Sequence, residues 1–345
     1  MSRGLRLRPM VPEDAPAWDR FVEAHPQGTF FHLSPWPELI RRGFGQPSHA
    51  LLVEQDGCMA GVLPLVRQRS RLFGDALVST PFCVAGGILA QDEAARECLL
   101  QGAVALARRL GVHHLELREN AAPPPPGWQV RDLYCGFRKT FSPDPQANLL
   151  AIPRKQRAEV RKGVERGLDG VVDGNVDGAW LLYSESLRNL GTPVFPRRWL
   201  RLLAQAFAAR MDVLTVRHQG KPVSAVVNFY FRDQVLPYYG GGGHLARALG
   251  ANHFMYWHLM THAASRGAQV FDFGRSKVGS GSYEFKRLYG FSPQPLAYAC
   301  LPITRAQVAE VNPNNPRYRH FIALWKRLPL PVSRLLGPVL ARRLG

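Results

Sequence analysis

The chain has 345 residues and a formal net charge of +18, with 46% hydrophobic and 20% charged residues. These proportions are typical of a folded globular protein with a sizeable core and exclude a disordered chain. Apolar runs stay well below the ~18–20 residues of a membrane-spanning helix, and the N-terminal residues lack the apolar segment of a secretory signal. The positive charge predicts a polyanionic partner: nucleic acid, phosphate-rich metabolites or an anionic membrane surface.

The cysteines are five in number, widely spaced and without any Cys-x-x-Cys pair. This pattern argues against a disulfide framework and against a zinc site. We therefore expect free thiols, no bound metal and a cytoplasmic protein. They are Cys58, Cys83, Cys98, Cys135 and Cys300.

In the first half of the chain, hydrophobic periodicity predicts two short helices, a hairpin, a longer helix and a strand. These occupy residues 11–24, 35–43, 50–54 with 59–67, 91–110 and 114–118.

The second half repeats this order as a helix, a hairpin, a helix and a strand. The elements are residues 197–210, 212–217 with 223–231, 251–266 and 269–273. Val53–Gly57 (VEQDG) parallels Val216–Gly220 (VRHQG), and Gly111 and Gly267 end equivalent helices at nearly the same spacing. Such self-similarity predicts two tandem copies of one α/β unit, each a mixed twisted sheet flanked by helices. The predicted domains are residues 1–148 and 149–300, followed by a basic amphipathic tail at 301–345.

Two segments concentrate positive charge. Residues 152–167 hold six basic and two acidic residues, and on a helix Arg154, Arg157 and Arg161 share one face. That face is either a phosphate-binding surface, which we favour, or a solvated helix surface. The tail carries eight basic residues and one acidic residue, which fits attachment to anionic lipid or packing against the first domain.

Familiar catalytic motifs are absent: the sequence has no Gly-x-Ser-x-Gly, no P-loop, no Gly-x-Gly-x-x-Gly after a strand and no His-Glu-x-x-His. Gly240–Gly243 precedes a predicted helix and is a weak candidate for an anion-binding loop. Tyr238 and Tyr239 beside it are either core residues or, alternatively, one of them faces the cleft. His258 and His262 have metal-ligand spacing, but no third ligand is evident, so helix-surface histidines are the favoured interpretation.

Val270–Gly290 (VFDFGRSKVGSGSYEFKRLYG) organises the chain. Alternating apolar residues predict a buried strand, and Gly279 and Gly281 then predict a mobile loop. The charged residues on this stretch form the rim of a reaction cleft or, alternatively, a solvated strand edge. They are Asp272, Arg275, Lys277, Glu284 and Lys286.

This stretch resembles the signature of the Fem family, the FemA/FemB/FemX-like non-ribosomal peptidyltransferases with tandem GNAT-like domains. Segments 152–167 and 187–199 also resemble family segments, as does the early helix around Trp36. The FemAB-like proteins of exosortase (PEP-CTERM) and exopolysaccharide loci are the most similar group. The long helical coiled-coil arm of some family members is absent here, which argues against binding of donor tRNA by such an arm. Arg247–Gly250 partly resembles the coenzyme-A pyrophosphate loop of GNAT acyltransferases.

The resemblance implies transfer of an aminoacyl or acyl group from aminoacyl-tRNA or acyl-CoA onto an amine, without a tightly bound cofactor. The acceptor would be a cell-envelope, peptidoglycan or exopolysaccharide precursor, phosphorylated or lipid-linked, met at the inner membrane surface. Lys286 matches the family lysine that stabilises the anionic oxygen, with Phe285 shaping the site and Asp272 or Glu284 handling the amine. Substrate-gripping candidates are Arg275, Tyr239, Arg197, Arg198, Arg41 and Arg154.

A second hypothesis belongs to another class of protein. The same fold, without catalysis, would serve as a binding protein for a phosphorylated glycan or nucleic acid. Binding of such ligands without turnover, and with Lys286 dispensable, would favour this alternative.

Overall fold

A computed structural model of the chain describes residues 4–70, 74–119, 126–305 and 316–342. Contacts divide it into two compact units. The first takes the described residues up to Leu133, from Leu296 to 305, and Arg342; the second takes Tyr134–Pro295 and the described residues from 316 to Ala341. This division falls before the predicted boundary at residue 148. The domain limits inferred from the repeat stay a prediction, because a duplicated sequence and a contact-defined unit need not share an end.

The regular elements account for most of both units. The strands are β1 (Leu5–Pro9), β2 (Leu51–Gln55), β3 (Cys58–Leu63), β4 (Leu65–Ser70), β5 (Gly74–Ser79), β6 (Leu89–Ala90), β7 (His114–Leu117), β8 (Gln129–Thr140), β9 (Leu168–Val172), β10 (Met211–His218), β11 (Lys221–Phe231), β12 (Gln234–Gly242), β13 (Val270–Lys277) and β14 (Pro293–Pro302). The helices are α1 (Ala15–Ala24), α2 (Pro35–Phe44), α3 (Glu93–Leu110), α4 (Pro145–Ala151), α5 (Arg154–Glu165), α6 (Val176–Leu190), α7 (Arg197–Ala206), α8 (Ala246–Leu249), α9 (Ala251–Ser265), α10 (Gly281–Leu288), α11 (Pro316–Arg327) and α12 (Leu330–Ala341).

In the first unit, β1, β2, β3 and β6 form an antiparallel sheet, and β4, β5, β7 and the end of β14 pair in that order, with β5 parallel to β7. The single strand predicted at 59–67 is two strands that belong to different sheets. Pro64 separates them, because proline has no N–H to donate to a ladder. The predicted apolar face of α3 is confirmed: Ala95, Leu99, Ala103 and Leu106 are buried.

The second unit contains one sheet, in the order β8-β13-β12-β11-β10-β9, in which β12 and β13 are parallel and the other pairs antiparallel. Helices cover both faces. A Cβ at Gly240 would meet Tyr256 of α9, whereas one at the next residue, Gly241, would meet Tyr183 of α6. Successive strand residues point to opposite faces, so α9 and α6 lie on opposite sides of the sheet. The predicted α/β fold of mixed sheets flanked by helices is therefore confirmed.

The helix predicted at residues 152–167 is present as α5, which runs without interruption from Arg154 to Glu165. A separate helix, α4, ends just before it, with Ile152 and Pro153 between the two. Proline disfavours helical geometry in the residue before it, which explains the break. Within α5, Val160 and Gly163 are buried while Arg154 and Arg161 are exposed.

The two C-terminal helices pack against α6. Arg334 of α12 donates from Nε to Ser184 Oγ (2.8 Å) and from an Nη nitrogen to the Leu181 carbonyl (3.1 Å). Among the described helices, none combines the length and apolarity needed to cross a bilayer.

The glycine run at 240–243 is a packing feature of the sheet, and the interpretation as an anion-binding loop is wrong. Gly240, Gly241 and Gly242 are strand residues of β12 and pair with Val226, Ala225 and Ser224 of β11. A Cβ at Gly241 would lie 2.9 Å from the Tyr183 Cα and 2.7 Å from the Ser186 Cβ. The run therefore allows α6 to approach the strand closely.

We expect Gly241→Ala to destabilise the protein by about 1–3 kcal/mol, because backbone atoms of α6 must move to admit the methyl group. Gly243→Ala is the matched control, since its nearest neighbour, a Glu185 Oε atom at 3.4 Å, is at an ordinary contact distance. Chemical denaturation of both variants measures the difference. Equal free energies of unfolding would contradict the close packing of α6 on β12.

Candidate active site

An opening between two parallel strands defines the site. In the described residues, the parallel ladder of β12 and β13 is limited to their first residues, Gln234 and Val235 opposite Val270 and Phe271. Beyond these, β12 continues along β11 and β13 continues along β8. The two strands therefore part, and the parted segments leave backbone groups on facing strand edges that a substrate can contact.

A register irregularity in β13 lies at the start of this opening. The pairing of β13 with β8 shifts between Asp272 and Arg275, and Gly274 between them has a φ of 64°, in the left-handed region that glycine tolerates. The Asp272 side chain accepts a hydrogen bond from the Gly274 N–H at 2.8 Å and holds the bend closed.

Lys286 lies against this bend. The glycine loop predicted after β13 is a short turn that contains Gly279 (φ 73°). Helix α10 begins directly after it, because the Ser280 hydroxyl accepts from the Tyr283 N–H and caps its first turn. Helix α10 turns the Lys286 ammonium towards three consecutive carbonyls. Its Nζ donates to the Phe273 (2.6 Å), Arg275 (3.1 Å) and Gly274 (3.4 Å) oxygens. These bonds engage all three ammonium donors.

Burial lowers the pKa of Lys286 to about 7, and the charge of Asp272 opposes that shift. The Nζ atom lies 5.4 and 5.6 Å from the ring centres of Phe137 and Phe273, so the aromatic faces also favour the charged form. Burial raises the pKa of Asp272, while Arg138, the Gly274 N–H and Lys286 act in the opposite direction. Near neutral pH the lysine thus lies close to its titration point.

Phe285 forms one wall beside the lysine. Its ring stacks on Tyr289 (5.7 Å between centroids) and contacts His253 (5.1 Å) and Tyr256 (5.7 Å) of α9. Tyr289 belongs to the core of the second unit, and Tyr256 and Phe285 pack against that core. Phe285 therefore anchors α10 as well as shaping its surroundings.

Strand β8 supplies residues that the sequence analysis missed. The Arg275 guanidinium lies 4.4 Å from the Tyr134 ring centre and Lys277 Nζ lies 5.7 Å from it, while Arg138 approaches Asp272 at 3.5 Å. Burial lowers the pKa of Lys277. The only sequence signal for β8 is a weak apolar alternation, and no local pattern reveals that it lies beside β13.

Other predicted site residues lie elsewhere. Tyr239 is buried, and its hydroxyl accepts from the Trp199 indole N–H (2.9 Å), so the expectation that it faces the cleft is wrong. Glu284 is 46% exposed and pairs with Arg287 (2.8 Å) one turn along α10. These two side chains contribute to packing and to the helix surface respectively.

The candidate phosphate-binding arginines are also dispersed. Arg197, at the start of α7, pairs with Asp177 at 2.7 Å, and its neighbour Arg198 is exposed. Arg41 belongs to the first unit and pairs with Glu38 at 2.6 Å on an exposed helix surface. Within the second unit, the structure therefore gathers Lys286, Phe285, Asp272 and Arg275 at the β13 bend.

Packing accounts for Gly250 of the predicted pyrophosphate loop, and contact with a carboxylate accounts for His262 of the histidine pair. Gly250 has a φ of 70° and precedes α9; a Cβ there would lie 2.7 Å from the Glu159 carbonyl oxygen of α5. His262 Nε2 and Arg266 both contact a carboxylate oxygen of Asp212 at 2.9 Å. In the part of the chain that the structure describes, no three His, Cys, Asp or Glu side chains cluster as metal ligands would.

Comparisons with known proteins agree with this architecture. Residues 154–287 match the family model described as an acetyltransferase (GNAT) domain. The structure of FemX superposes with a TM-score of 0.69 at 13% identity, covering 87% of this chain and 98% of FemX. No curated protein matches by sequence comparison.

Two further structures share the fold. The C-terminal domain of a putative lysylphosphatidylglycerol synthetase from Agrobacterium fabrum matches with a TM-score of 0.55 at 15% identity, covering 84% of this chain and 91% of that domain. A tandem GNAT protein from the clavulanic acid biosynthesis pathway matches with a TM-score of 0.55 at 12% identity, covering 88% of this chain and all of that one. The chain therefore has a tandem GNAT fold, which it shares with FemX, and its residues 154–287 match the GNAT acetyltransferase domain model.

Proposed function

We propose that the protein is an N-acyltransferase that moves an acyl or aminoacyl group from an activated donor onto an amine of a cell-envelope precursor. The observation that carries this proposal is the Lys286 ammonium, held by the carbonyls of the β13 bend with a pKa of about 7. A cation at this place in an acyltransferase fold suits the charge that develops during acyl transfer.

In the proposed reaction the amine nitrogen attacks the donor carbonyl and a C–N bond forms. The carbonyl oxygen becomes an anion, and collapse of the intermediate breaks the C–S bond of a thioester or the C–O bond of an ester. Lys286 stabilises the anion, and the amine proton passes to Asp272 or to solvent. One preorganised donor of this kind contributes ~3–4 kcal/mol in other acyl-transfer enzymes.

To stabilise the anion, the Lys286 ammonium must give up one of its three carbonyl acceptors. Its bond to the Gly274 carbonyl is the longest at 3.4 Å, so that carbonyl is the one an oxyanion would replace. Asp272 suits the proton-accepting role better than Glu284, because Glu284 already pairs with Arg287 on the helix surface. The roles of Arg275, Arg197, Arg198, Arg41 and Arg154 in holding substrate remain predictions.

The tandem GNAT fold supports acyl-CoA as the donor. Aminoacyl-tRNA remains the alternative, on the resemblance to the Fem family. FemX and the lysylphosphatidylglycerol synthetase domain share the fold, so we propose an envelope precursor or a lipid as the acceptor. A link to exosortase loci stays a prediction from sequence.

Contact with anionic lipid is the second part of the proposal, and helix α12 supports it. Its exposed apolar residues are spaced at i, i+3, i+4 and i+7, the pattern of a single helix face: Val332 (38% exposed), Leu335 (75%), Leu336 (44%) and Val339 (54%). Residues 316–342 contain six Lys or Arg and no Asp or Glu. An apolar stripe with basic surroundings fits a surface of anionic lipid.

Asp272→Asn should lower the pKa of Lys286 below 7, because the carboxylate charge of Asp272 raises it. Glu284→Gln should leave it unchanged, since Glu284 pairs with Arg287 instead. NMR titration of isotope-labelled lysine measures both. An equal shift in the two variants would show that Asp272 is not the group facing the ammonium.

Lys286→Met should lower kcat by about 10²–10³-fold, the loss of one oxyanion-stabilising donor. In the wild-type protein the protonated lysine is the active form, so kcat/KM should acquire a descending limb as pH rises through about 7. Lys286→Arg keeps its charge and should lack that limb. The assay follows amide formation from acyl-CoA and aminoacyl-tRNA donors with UDP-linked precursors; undiminished turnover of Lys286→Met would refute the role.

Leu335→Glu should reduce sedimentation of the protein with vesicles that contain phosphatidylglycerol, because it places a charge in the centre of the stripe. Val164→Glu is the matched control: Val164 is 51% exposed on α5, away from α12. Point variants are preferable to a truncation, since α11 and α12 pack on α6. Equal binding of the Leu335 and Val164 variants would reject the stripe as the lipid contact.

A further inference from the structure

A cavity of about 290 Å³ lies within the second unit, beside the aromatic cluster of the candidate site but without Lys286 in its lining. Most of its wall is apolar, formed by Phe141, Ile152, Met260, Phe271, Tyr289 and Phe291. Elements distant in sequence contribute these side chains: the segment after β8, α9, β13 and the segment after α10. The volume approaches the ~300–1,000 Å³ typical of small-molecule sites.

The polar groups of the lining are mostly committed to each other. Asn148 Oδ1 accepts from the Ser142 N–H (2.8 Å) and its Nδ2 donates to the Ser142 carbonyl (2.7 Å). The nearby Asp144 carboxylate accepts from the N–H groups of Gln146 and Ala147 at the start of α4. These groups fix the rim of the cavity and leave little hydrogen-bonding capacity for a ligand.

Lys139 is the exception. Its side chain is partly exposed, its Nζ lies 6.0 Å from the Phe291 ring centre, and within the described residues it has no carboxylate partner. Strand pairing sets Lys139 opposite Phe271 and Arg138 opposite Asp272. Paired residues share a face of the sheet, so Lys139 projects on the cavity face and Asp272 on the other. The cavity thus combines an apolar interior with one ammonium group at its edge.

We propose that this cavity binds the unbranched apolar chain of a medium-chain carboxylate or of an acyl thioester. The chain would lie among the aromatic side chains, and the head group of a free carboxylate would contact Lys139. The volume is about twice that of a ~150 Å³ cavity that holds one benzene ring, which leaves room for roughly ten carbon atoms.

The cavity adjoins the candidate active site through one layer of rings. Tyr289 lines the cavity and stacks on Phe285, the residue before Lys286. If the bound chain belongs to the donor, the inference rests on the proposed function and names the class of acyl group transferred. A free carboxylate as the ligand would not depend on it. The chemistry is shared, so the experiment has to separate the two sources.

The test is calorimetric titration of the full-length protein with carboxylates of four to fourteen carbons, and with decanol as a neutral-head analogue. Burial of each added methylene should tighten binding about fourfold until the cavity is full near ten carbons. Absence of saturable binding, or affinity independent of chain length, would overturn the proposal.

Variants locate the site. Ala147→Phe fills the cavity and should weaken decanoate and decanol binding more than tenfold; Ala151→Phe, at the exposed edge of the lining, serves if the first variant does not fold. Lys139→Met should weaken decanoate about three- to tenfold in low salt and leave decanol unchanged. The matched controls are Ala158→Phe and Lys155→Met, both on the exposed side of α5. Wild-type affinity in both cavity-filling variants would place the ligand elsewhere and overturn the proposal.

A kinetic comparison separates the two sources. A KM that is lower for decanoyl-CoA than for acetyl-CoA, and that rises in Ala147→Phe, would assign the cavity to the donor chain. Equal KM values, with carboxylate binding intact, would assign it to a free carboxylate. Failure of the proposed function would appear as no transfer from any donor while the binding isotherms persist.

Discussion

The second unit depends on how one ammonium group is accommodated away from bulk water. An isolated buried lysine would lose its charge or destabilise the fold. Here the bend of β13 directs the carbonyls of Phe273, Gly274 and Arg275 towards Lys286. The dependence is mutual, because the same carbonyls would otherwise need other donors inside the protein. The bend, helix α10 and the lysine therefore form one structural element, in which a change to any part alters the other two.

The aromatic cluster around α10 fixes this element in place. Tyr289 donates from its hydroxyl to the His253 carbonyl at 2.9 Å, and its ring stacks on Phe285. Burial raises the pKa of Tyr289 and lowers that of His253, so both groups stay neutral near pH 7. The charged side chains described at the bend are thus Lys286, Asp272, Arg138 and the cations beside Tyr134. A small charged region against a neutral aromatic wall is an environment in which electrostatic interactions are strong.

Much of the architecture could be predicted because local sequence patterns determine it. The apolar face of α3 and the hairpin of β10 and β11 follow from periodicity, and the repeat predicted two similar halves. The predictions failed where a neighbour distant in sequence determines the position of a side chain. Tyr239 appeared to flank a loop, but Gly240–Gly242 pair with β11, which commits the tyrosine to the core beside Trp199. The partners of Lys286 are backbone carbonyls of a bend that only the pairing of β13 with β8 creates, and no sequence pattern encodes them.

The position of Lys286 also limits the kinds of group that can occupy the site productively. Since its three donors are engaged, a neutral carbonyl oxygen gains little by replacing the Gly274 oxygen at 3.4 Å. An oxygen that acquires full negative charge competes far better, because it adds the attraction between two opposite charges to the hydrogen bond, whereas a carbonyl offers only a dipole. The arrangement therefore favours the anionic intermediate of acyl transfer over the bound donor, and this difference between the two states is what accelerates a reaction. The carbonyl acceptors of Lys286 thus make the site selective for an anionic oxygen over a neutral one.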